Sequence, residues 1–444
     1  MSFPRYPKYK ASGVEWLGDV PEGWEVKPLK YSTLVYTGNS LNETEKKLYE
    51  STDPEALPYI SSKDIDLETH EVQYENGLRI PKEQCDLKVA QSGTFLLCVE
   101  GGSAGRKVAL LRHDVCFVNK LCCFSSRQNN KFRFYFAQSQ HFKDKFGLSL
   151  TGLIGGVSTS LLKNFQIPTP ADPEQTAIAE FLDRETGKID GLVAEQRRLM
   201  ELLKEKRQAV ISHAVTKGLN PHAPMKPSGI EWLGDVPEGW AVKRLKNIVE
   251  EPLKYGANES AELDDRTLPR FVRITDIDES GALRDETFKS LPVDVAQSFL
   301  LREGDVLLAR SGATVGKSFI YSNQWGPACF AGYLIRARLR QKECIAQWLY
   351  YFCQTNGYWG YVVGSQIQAT IQNVSAEKYA NLYLPVPSIS EQKTIIKFLE
   401  TELAKFDTLT AEAQRAIVLL QERRTALISA AVTGQIDVRQ QTRN

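Results

Sequence analysis

One 19-residue segment occurs twice in this chain of 444 residues, 216 positions apart. Residues 12–30 (SGVEWLGDVPEGWEVKPLK) and 228–246 (SGIEWLGDVPEGWAVKRLK) are identical at 16 positions. A second repeat, at an offset of 217, pairs residues 167–182 (IPTPADPEQTAIAEFL) with 384–399 (LPVPSISEQKTIIKFL). The period is too long for a solenoid unit. The sequence therefore predicts a duplicated half-molecule with an internal pseudo-twofold repeat.

The repeated segments enclose two inserts, residues 31–166 and 247–383, that resemble each other only faintly. A duplicated domain that had simply drifted would spread its differences evenly along the chain. Here the differences are concentrated in the inserts, so the pattern favours different roles for the constant frame and the variable inserts.

The frame contains two long amphipathic segments, at about 172–216 and 389–433, in which many apolar residues are three, four or seven apart. Acidic, proline and glutamine residues at 172–175 form a helix start, and Ser388 with Glu391 forms a capping box. Gly218 and Gly434 provide the stops. The two helices are expected to pair as a coiled coil. The alternative is that each helix lies across its own domain.

The inserts are predicted to be mixed α/β. Short apolar runs between glycines and charged residues indicate strands. The predicted strands are 57–60, 93–99, 107–111 and 115–118 in the first insert, and 271–274, 304–309, 318–321 and 333–337 in the second. Aromatic-rich segments at 131–146 and 343–359 are predicted to be helical.

A net charge of +1 argues against a general nucleic-acid coat, but the charges are unevenly distributed. Residues 31–100 carry a net charge of −7 and residues 101–163 carry +8; residues 247–303 carry −6 and residues 306–342 carry +6. Basic segments interleaved with aromatic and amide side chains suit contact with DNA. A solvated face balanced by the acidic segments is the alternative. The predicted DNA-binding residues are Arg106, Lys107, Lys120, Arg127, Lys131, Arg133, Arg310, Lys317, Arg336, Arg338 and Arg340.

Two glycine-containing loops, at 101–106 and 312–317, resemble a phosphate-binding P-loop only superficially. A P-loop has four residues between its glycines, whereas each of these loops has three. We interpret both loops as strand connections that bring a cation to the surface.

Other classes of function find little support in the sequence. No run of 18 apolar residues and no signal-type start occurs, so a cytoplasmic protein is expected. The eight cysteines form no C-x-x-C pair, and His113 with Cys116 lacks further ligands at zinc spacing. No hydrolase, zinc-protease or dinucleotide motif is evident. We therefore expect no catalytic residue, no metal and no cofactor.

The repeated opening SG[V/I]EWLGDVPEGW, together with the P-x-P…E-Q-x-x-I-x-x-F-L helix start, resembles the specificity subunits of type I restriction–modification systems. The resemblance spans nearly the whole chain. It implies that each insert is a target recognition domain for one half of a split, asymmetric DNA site. It also implies that the helices form an antiparallel coiled coil, which sets the spacing and docks two methyltransferase (M) subunits, joined by restriction (R) subunits. S-adenosylmethionine and ATP would belong to M and R.

The implied domains are residues 1–166 (first recognition domain), 167–220 (first helical spacer), 221–383 (second recognition domain) and 384–444 (second spacer and tail). Partner-binding or spacer roles are expected at the repeated helix starts, for Glu174, Gln175, Phe181, Leu182, Glu391, Gln392, Phe398 and Leu399. Two other functions stay open on the sequence alone: a restriction endonuclease, stand-alone or fused to a partner, with an unrecognised active site, and a purely structural coiled-coil adaptor.

Overall fold

The computed structural model describes residues 3–51, 53–82, 86–126, 129–152, 155–260, 262–278, 281–365 and 373–439. The chain forms two compact units. Unit 1 comprises the chain up to Arg197 together with the chain from Ala413 onward, and unit 2 is Arg198–Glu412. Among the described residues, no helix is long and apolar enough to cross a membrane.

The first half of the chain ends in a long helix. Its strands are β1 (Tyr9–Ala11), β2 (Asp19–Pro21), β3 (Glu25–Pro28), β4 (Thr33–Thr37), β5 (Leu57–Ile60), β6 (Arg79–Ile80), β7 (Val89–Ala90), β8 (Phe95–Cys98), β9 (Val108–Leu110), β10 (Val115–Phe117), β11 (Leu121–Ser126) and β12 (Gln166–Thr169). Its helices are α1 (Glu43–Leu48), α2 (Asn130–Gln138), α3 (Gln140–Leu148), α4 (Thr159–Leu162) and α5 (Asp172–Lys217).

The second half follows the same plan. Its strands are β13 (Met225–Pro227), β14 (Asp235–Pro237), β15 (Ala241–Arg244), β16 (Lys254–Tyr255), β17 (Arg270–Val272), β18 (Val306–Ala309), β19 (Ser318–Ile320), β20 (Ala328–Phe330), β21 (Leu334–Ala337) and β22 (Tyr383–Val386). Its helices are α6 (Val293–Ala296), α7 (Ala346–Phe352), α8 (Asn356–Ser365), α9 (Ala376–Ala380) and α10 (Ile389–Val432).

Both inserts have one topology despite their different sequences. One four-stranded sheet has the order β4-β11-β8-β9 in unit 1 and β16-β21-β18-β19 in unit 2. A parallel pair accompanies each of these sheets, β5 with β10 and β17 with β20, and in unit 1 β6 and β7 extend the pair to a second four-stranded sheet. The frame strands pair in the same way, β3 with β12 and β15 with β22. The predicted mixed α/β fold with an internal repeat is confirmed.

Each predicted insert helix is split into two. In the first insert the break falls at Ser139, which ends α2 and whose hydroxyl accepts a hydrogen bond from the Phe142 backbone N–H at the start of α3. Such a side-chain cap satisfies a backbone donor that a helix start leaves free. The prediction of helical structure in this segment was therefore correct, but the sequence pattern did not reveal the cap at Ser139 inside the aromatic-rich segment.

The two long helices are continuous over Asp172–Lys217 and Ile389–Val432. Gly187 and Gly191, which could have bent the first helix, lie within it without breaking it. Each helix contributes one end to each unit. The buried core of unit 1 includes Phe181 of α5 and Ile428 of α10, and that of unit 2 includes Ile211 and Leu403.

Within each unit, an ion pair joins the two helices. Arg424 binds Asp190 at 2.9 Å in unit 1, and Arg207 binds Asp407 at 2.7 Å in unit 2. From one pair to the other, the residue number rises by 17 along α5 and falls by 17 along α10. The helices therefore pair in antiparallel fashion with one register, as predicted.

Candidate nucleic-acid interface

Three of the predicted basic residues of the first insert lie on the surface of unit 1. Arg106 is exposed at the end of the β8–β9 connection. Lys120 lies 3.7 Å from Glu100, and Lys131 binds Asp183 at 2.6 Å. Ion pairs between such solvated groups contribute at most about 1 kcal/mol, so these cations can exchange partners.

The remaining basic residues of this insert are placed differently. Lys107 is partly buried and donates from Nζ to the Ser62 carbonyl at 2.8 Å. Arg133 is 2% exposed and binds the Gln175 side chain at 3.0 Å, and burial lowers its pKa to about 10. Because DNA cannot reach a core side chain, the prediction that Arg133 contacts DNA is corrected. Arg127 lies outside the described residues.

In unit 2, two predicted DNA contacts are instead internal. Arg336 is 4% exposed; its guanidinium binds Glu251 at 2.7 Å and the Leu300 carbonyl at 3.0 Å. Arg338 holds the buried Asp305 with two hydrogen bonds of 2.8 and 2.7 Å. The hydrogen bonding with Asp305 raises the pKa of Arg338, whereas burial lowers the pKa of Arg336.

The reason for this correction is the position of the strand. All four residues of β21 are buried, so side chains on both of its faces meet protein, and Arg338 directly follows its last residue. Asp305 immediately precedes the basic segment, and Glu251 lies far upstream in the sequence. The charge split predicted from the sequence therefore produces internal ion pairs at Arg336 and Arg338.

The other three basic residues of unit 2 are nearer to solvent. Lys317 is exposed at the end of the β18–β19 connection. Arg340 is exposed and binds Glu343 at 2.8 Å. Arg310 is partly exposed, with its guanidinium stacked 4.6 Å from the centre of the Tyr255 ring.

The two glycine loops, one in each unit, have the same structure. The N–H of Gly105 donates to Cys98 O at 2.8 Å, and the N–H of Gly316 donates to Ala309 O at 2.9 Å. Both glycines have positive φ, +72° and +88°. A Cβ on Gly105 would lie 2.4 Å from the Phe146 ring. Each loop is thus a tight strand connection, and the residue after its second glycine is a solvent-exposed cation.

The repeated Glu-Gln pairs fasten the helix starts to the domains. Glu391 accepts from the Trp240 indole N–H at 3.0 Å, so only the Ser388 side of the predicted capping box forms. Glu174 accepts from the Tyr6 hydroxyl at 2.7 Å. Gln392 is buried, and its amide bonds the backbone of the insert at Ile345 and Glu343. Gln175 is also buried.

The apolar residues predicted at the same helix starts are mostly core residues. Phe181, Leu182 and Leu399 are fully buried, whereas Phe398 is 38% exposed. These residues hold each helix against its own domain, and within this set Phe398 alone presents a large apolar surface to solvent.

A polar cavity of about 480 Å³ lies within unit 1, and His70 and Arg424 are among its lining residues. His70 has a positive φ of 58°, and its Nδ1 lies 3.1 Å from the Val108 carbonyl. Burial, reinforced by the nearby Arg424 and Lys143, lowers the pKa of His70 to about 4. The cavity therefore keeps this imidazole uncharged at neutral pH.

In the part of the chain that the structure describes, no group of three histidine, cysteine or acidic residues is arranged to hold a metal ion. Cys116, part of the weak sequence pattern with His113, is fully buried in a parallel strand pair.

The two units therefore carry domains of one topology, with a cationic surface loop in each and different side chains around it. A family model, the type I restriction modification DNA specificity domain, matches residues 21–196 and 237–417. The chain belongs to this family, and its role is DNA recognition rather than catalysis.

Curated relatives are specificity subunits of type I restriction enzymes. The EcoBI subunit of Escherichia coli is 24% identical over 81% of this chain and 75% of its own length. The MjaVIII subunit of Methanocaldococcus jannaschii is 24% identical over 79% and 81%. The EcoKI subunit of Escherichia coli K12 is 22% identical over 96% and 92%.

Two solved structures have a similar fold. A chain from a study of complex assembly and conformational transition of the type I R-M system aligns with a TM-score of 0.68 and 16% identity, covering 93% of this chain and 98% of its own length. The HsdS subunit of Thermoanaerobacter tengcongensis aligns with a TM-score of 0.51 and 16% identity, covering 94% and 98%.

Proposed function

We propose that each insert recognises one half of a bipartite, asymmetric DNA site. The observation that supports this most directly is that both inserts share one sheet order and one cationic glycine loop but differ in the side chains around that loop. One fold that carries different side chains in a DNA groove recognises different bases. Domain boundaries at 1–166, 167–220, 221–383 and 384–444 are part of the proposal.

The surface cations bind the phosphates on either side of each half-site. The residues assigned to this role are Arg106, Lys107, Lys120, Lys131, Lys317 and Arg340, all at least partly exposed. If six phosphates are neutralised, the affinity falls by about 10³-fold between 50 and 200 mM salt.

The antiparallel helices set the distance between the half-sites and dock two methyltransferase subunits, which restriction subunits join in the complete assembly. The relatives are named as specificity subunits of type I restriction enzymes. The assembled complex acts on DNA in the cytoplasm. The Glu-Gln pairs, engaged with their own domains, fix the helix starts, while Phe398 is exposed and available to a partner.

The decisive experiment is to map methylation in a host that carries this chain with its methyltransferase partner. We expect a split motif whose halves differ and whose gap has a fixed length. In parallel, the pure chain is incubated with DNA and Mg²⁺; cleavage without partner subunits would contradict the proposal and favour an endonuclease.

A further inference from the structure

One position beside the glycine loop is structurally equivalent in the two units, although its residues differ. In unit 1, Val99 O accepts from the Val157 N–H at 3.0 Å, and Val99 N–H donates to Lys120 O at 2.9 Å. In unit 2, Arg310 O accepts from the Val374 N–H at 2.8 Å, and Arg310 N–H donates to Tyr333 O at 3.0 Å. Val99 and Arg310 therefore occupy the same place in the fold.

The neighbouring strand extends this equivalence. Thr37 pairs with Cys122 on the adjacent strand of the sheet, and Tyr255 pairs with Ile335. The last residue of β8, Cys98, pairs with Leu121, and the last residue of β18, Ala309, pairs with Leu334. Cys122 and Ile335 are the residues that directly follow Leu121 and Leu334. Thr37 in unit 1 therefore corresponds to Tyr255 in unit 2.

In unit 2, this place is filled by an organised cluster. The Arg310 guanidinium stacks on the Tyr255 ring, and its Nε donates to Asn373 Oδ1 at 3.3 Å. The Tyr255 hydroxyl is itself fixed by the Ala376 N–H at 2.9 Å. Among the described residues, the two terminal guanidinium nitrogens have no hydrogen-bond partner. Tyr333, next to the cluster, is 65% exposed.

In unit 1, the same place is an open cleft of about 650 Å³. Its walls include Thr37, Glu100, Asn119 and Thr151. The Glu100 carboxylate is 40% exposed and lies 3.7 Å from Lys120, a separation too long for a hydrogen bond. The Glu100 carboxylate is thus an anionic acceptor in the wall of the cleft of unit 1, where unit 2 presents a cationic donor group.

We propose that these two equivalent places are the base-recognition sites of the two domains, with Arg310 and Glu100 as specificity-determining residues. A planar guanidinium whose two terminal nitrogens bind no described residue matches the O6 and N7 acceptors of guanine. A carboxylate matches the N4 amino donor of cytosine. The cations that end the adjacent glycine loops, Arg106 and Lys317, bind the backbone beside each site.

This inference rests on the proposed function, and it assigns opposite chemistry to the two half-sites. Arg310 recognises a guanine in the half-site of the second insert. Glu100 recognises a cytosine in the half-site of the first insert. Because the two residues lie in different units, a substitution at either one changes one half-site only.

The test is selection of bound sequences from a randomised DNA duplex library by the full chain with its methyltransferase subunits. Arg310→Lys keeps the charge but removes the fork of donors, so the preference for guanine at one position falls by about 10- to 100-fold. Glu100→Gln shifts one position of the other half-site from cytosine towards adenine, because Gln pairs with adenine. Lys317→Gln is the matched control, with weaker binding to every sequence and an unchanged consensus.

The possible failures are distinguishable. A wild-type chain that selects no bipartite consensus contradicts the proposed function itself. A bipartite consensus that both variants leave unchanged overturns only the assignment of Arg310 and Glu100. Equal loss of affinity for all sequences in Arg310→Lys also overturns it, because that result would make Arg310 a phosphate contact.

Discussion

At the scale of the residue, the arginines that follow β21 show that the contribution of a charged side chain to stability depends on its burial and on its partner. Arg338 and Arg340 are two positions apart, yet one is held by the buried Asp305 and the other lies at the surface beside Glu343. Breaking a buried pair leaves an uncompensated charge, whereas an exposed pair contributes little. The two arginines should therefore differ sharply when each is replaced by alanine.

We predict that Arg338→Ala lowers the free energy of unfolding of unit 2 by about 3–5 kcal/mol, since Asp305 remains buried without its partner. Arg340→Ala serves as the control and should change the free energy of unfolding by about 1 kcal/mol or less. Denaturant unfolding of both variants measures the difference. Equal stability of the two variants would contradict the internal role of Arg338.

His70 predicts a pH dependence of unit 1. The folded protein binds the His70 proton only below a pKa of about 4, whereas the unfolded chain binds it near 6.5. Between these values the unfolded state binds more protons, so stability falls as the pH decreases, by up to about 3 kcal/mol for this group. His70→Asn tolerates the positive φ and should remove this component.

Unfolding curves of unit 1 at pH 7, 6 and 5, followed by amide hydrogen exchange, check this prediction. The control variant is His113→Asn, at an exposed histidine of the same unit. The prediction is wrong if the wild type and His70→Asn lose stability in parallel.

At the scale of the element, the glycine loops depend on their second glycine. Gly105 combines a positive φ with a Cβ position that overlaps the Phe146 ring. Alanine there costs about 1–2 kcal/mol for the backbone conformation and about 1–3 kcal/mol for overpacking. We therefore expect Gly105→Ala to destabilise unit 1 by about 2–5 kcal/mol in thermal or chemical unfolding. Gly102→Ala, in the same loop with open space around it, should be nearly neutral; similar losses in both variants would contradict this account.

The elements also show what sequence patterns can and cannot predict. The long helices were predictable because their apolar spacing, caps and glycine stops all agree. Eight strands of the inserts were predictable from short apolar runs between glycines and charged residues, whereas β4, β11, β16 and β20 were among the strands that this pattern missed. Three features were not predictable from the sequence: the internal cap at Ser139, the internal ion pairs of Arg336 and Arg338, and the stacking of Arg310 on Tyr255. The cap depends on competition within one segment, whereas the other two features depend on contacts between segments that are distant in sequence. The repeated Glu-Gln motif was visible, but its hydrogen bonds to the domain were not.

At the scale of the whole molecule, α5 and α10 join the two units. Inserting one heptad into each helix, after Arg198 and after Glu412, lengthens the connection by about 10 Å and keeps the apolar register. Under the proposed function, the gap between half-sites grows by about three base pairs, at 3.4 Å per base pair. Methylation mapping tests this, and both half-sites should be unchanged. A constant gap in a folded, active variant would show that the helices do not set the spacing.

The shared topology predicts what a symmetric chimera recognises. A chain in which residues 31–166 replace residues 247–383 carries one recognition domain twice. Its expected target is an inverted repeat of a single half-site, again read out by methylation mapping. An unchanged asymmetric target would mean that the inserts do not determine specificity.

The buried frame glutamines have a consequence for the history of such chains. Gln175 holds an arginine side chain of its insert, whereas Gln392 holds backbone groups of the other insert. One frame residue thus accepts two chemically unlike anchors. Under the proposed function, replacement of a whole insert between the repeated flanking segments therefore gives a chain a new target in a single genetic event. The two glutamine positions require no compensating mutation, because the same side chain holds either kind of anchor, so the target can change while the helix start stays fixed to its domain.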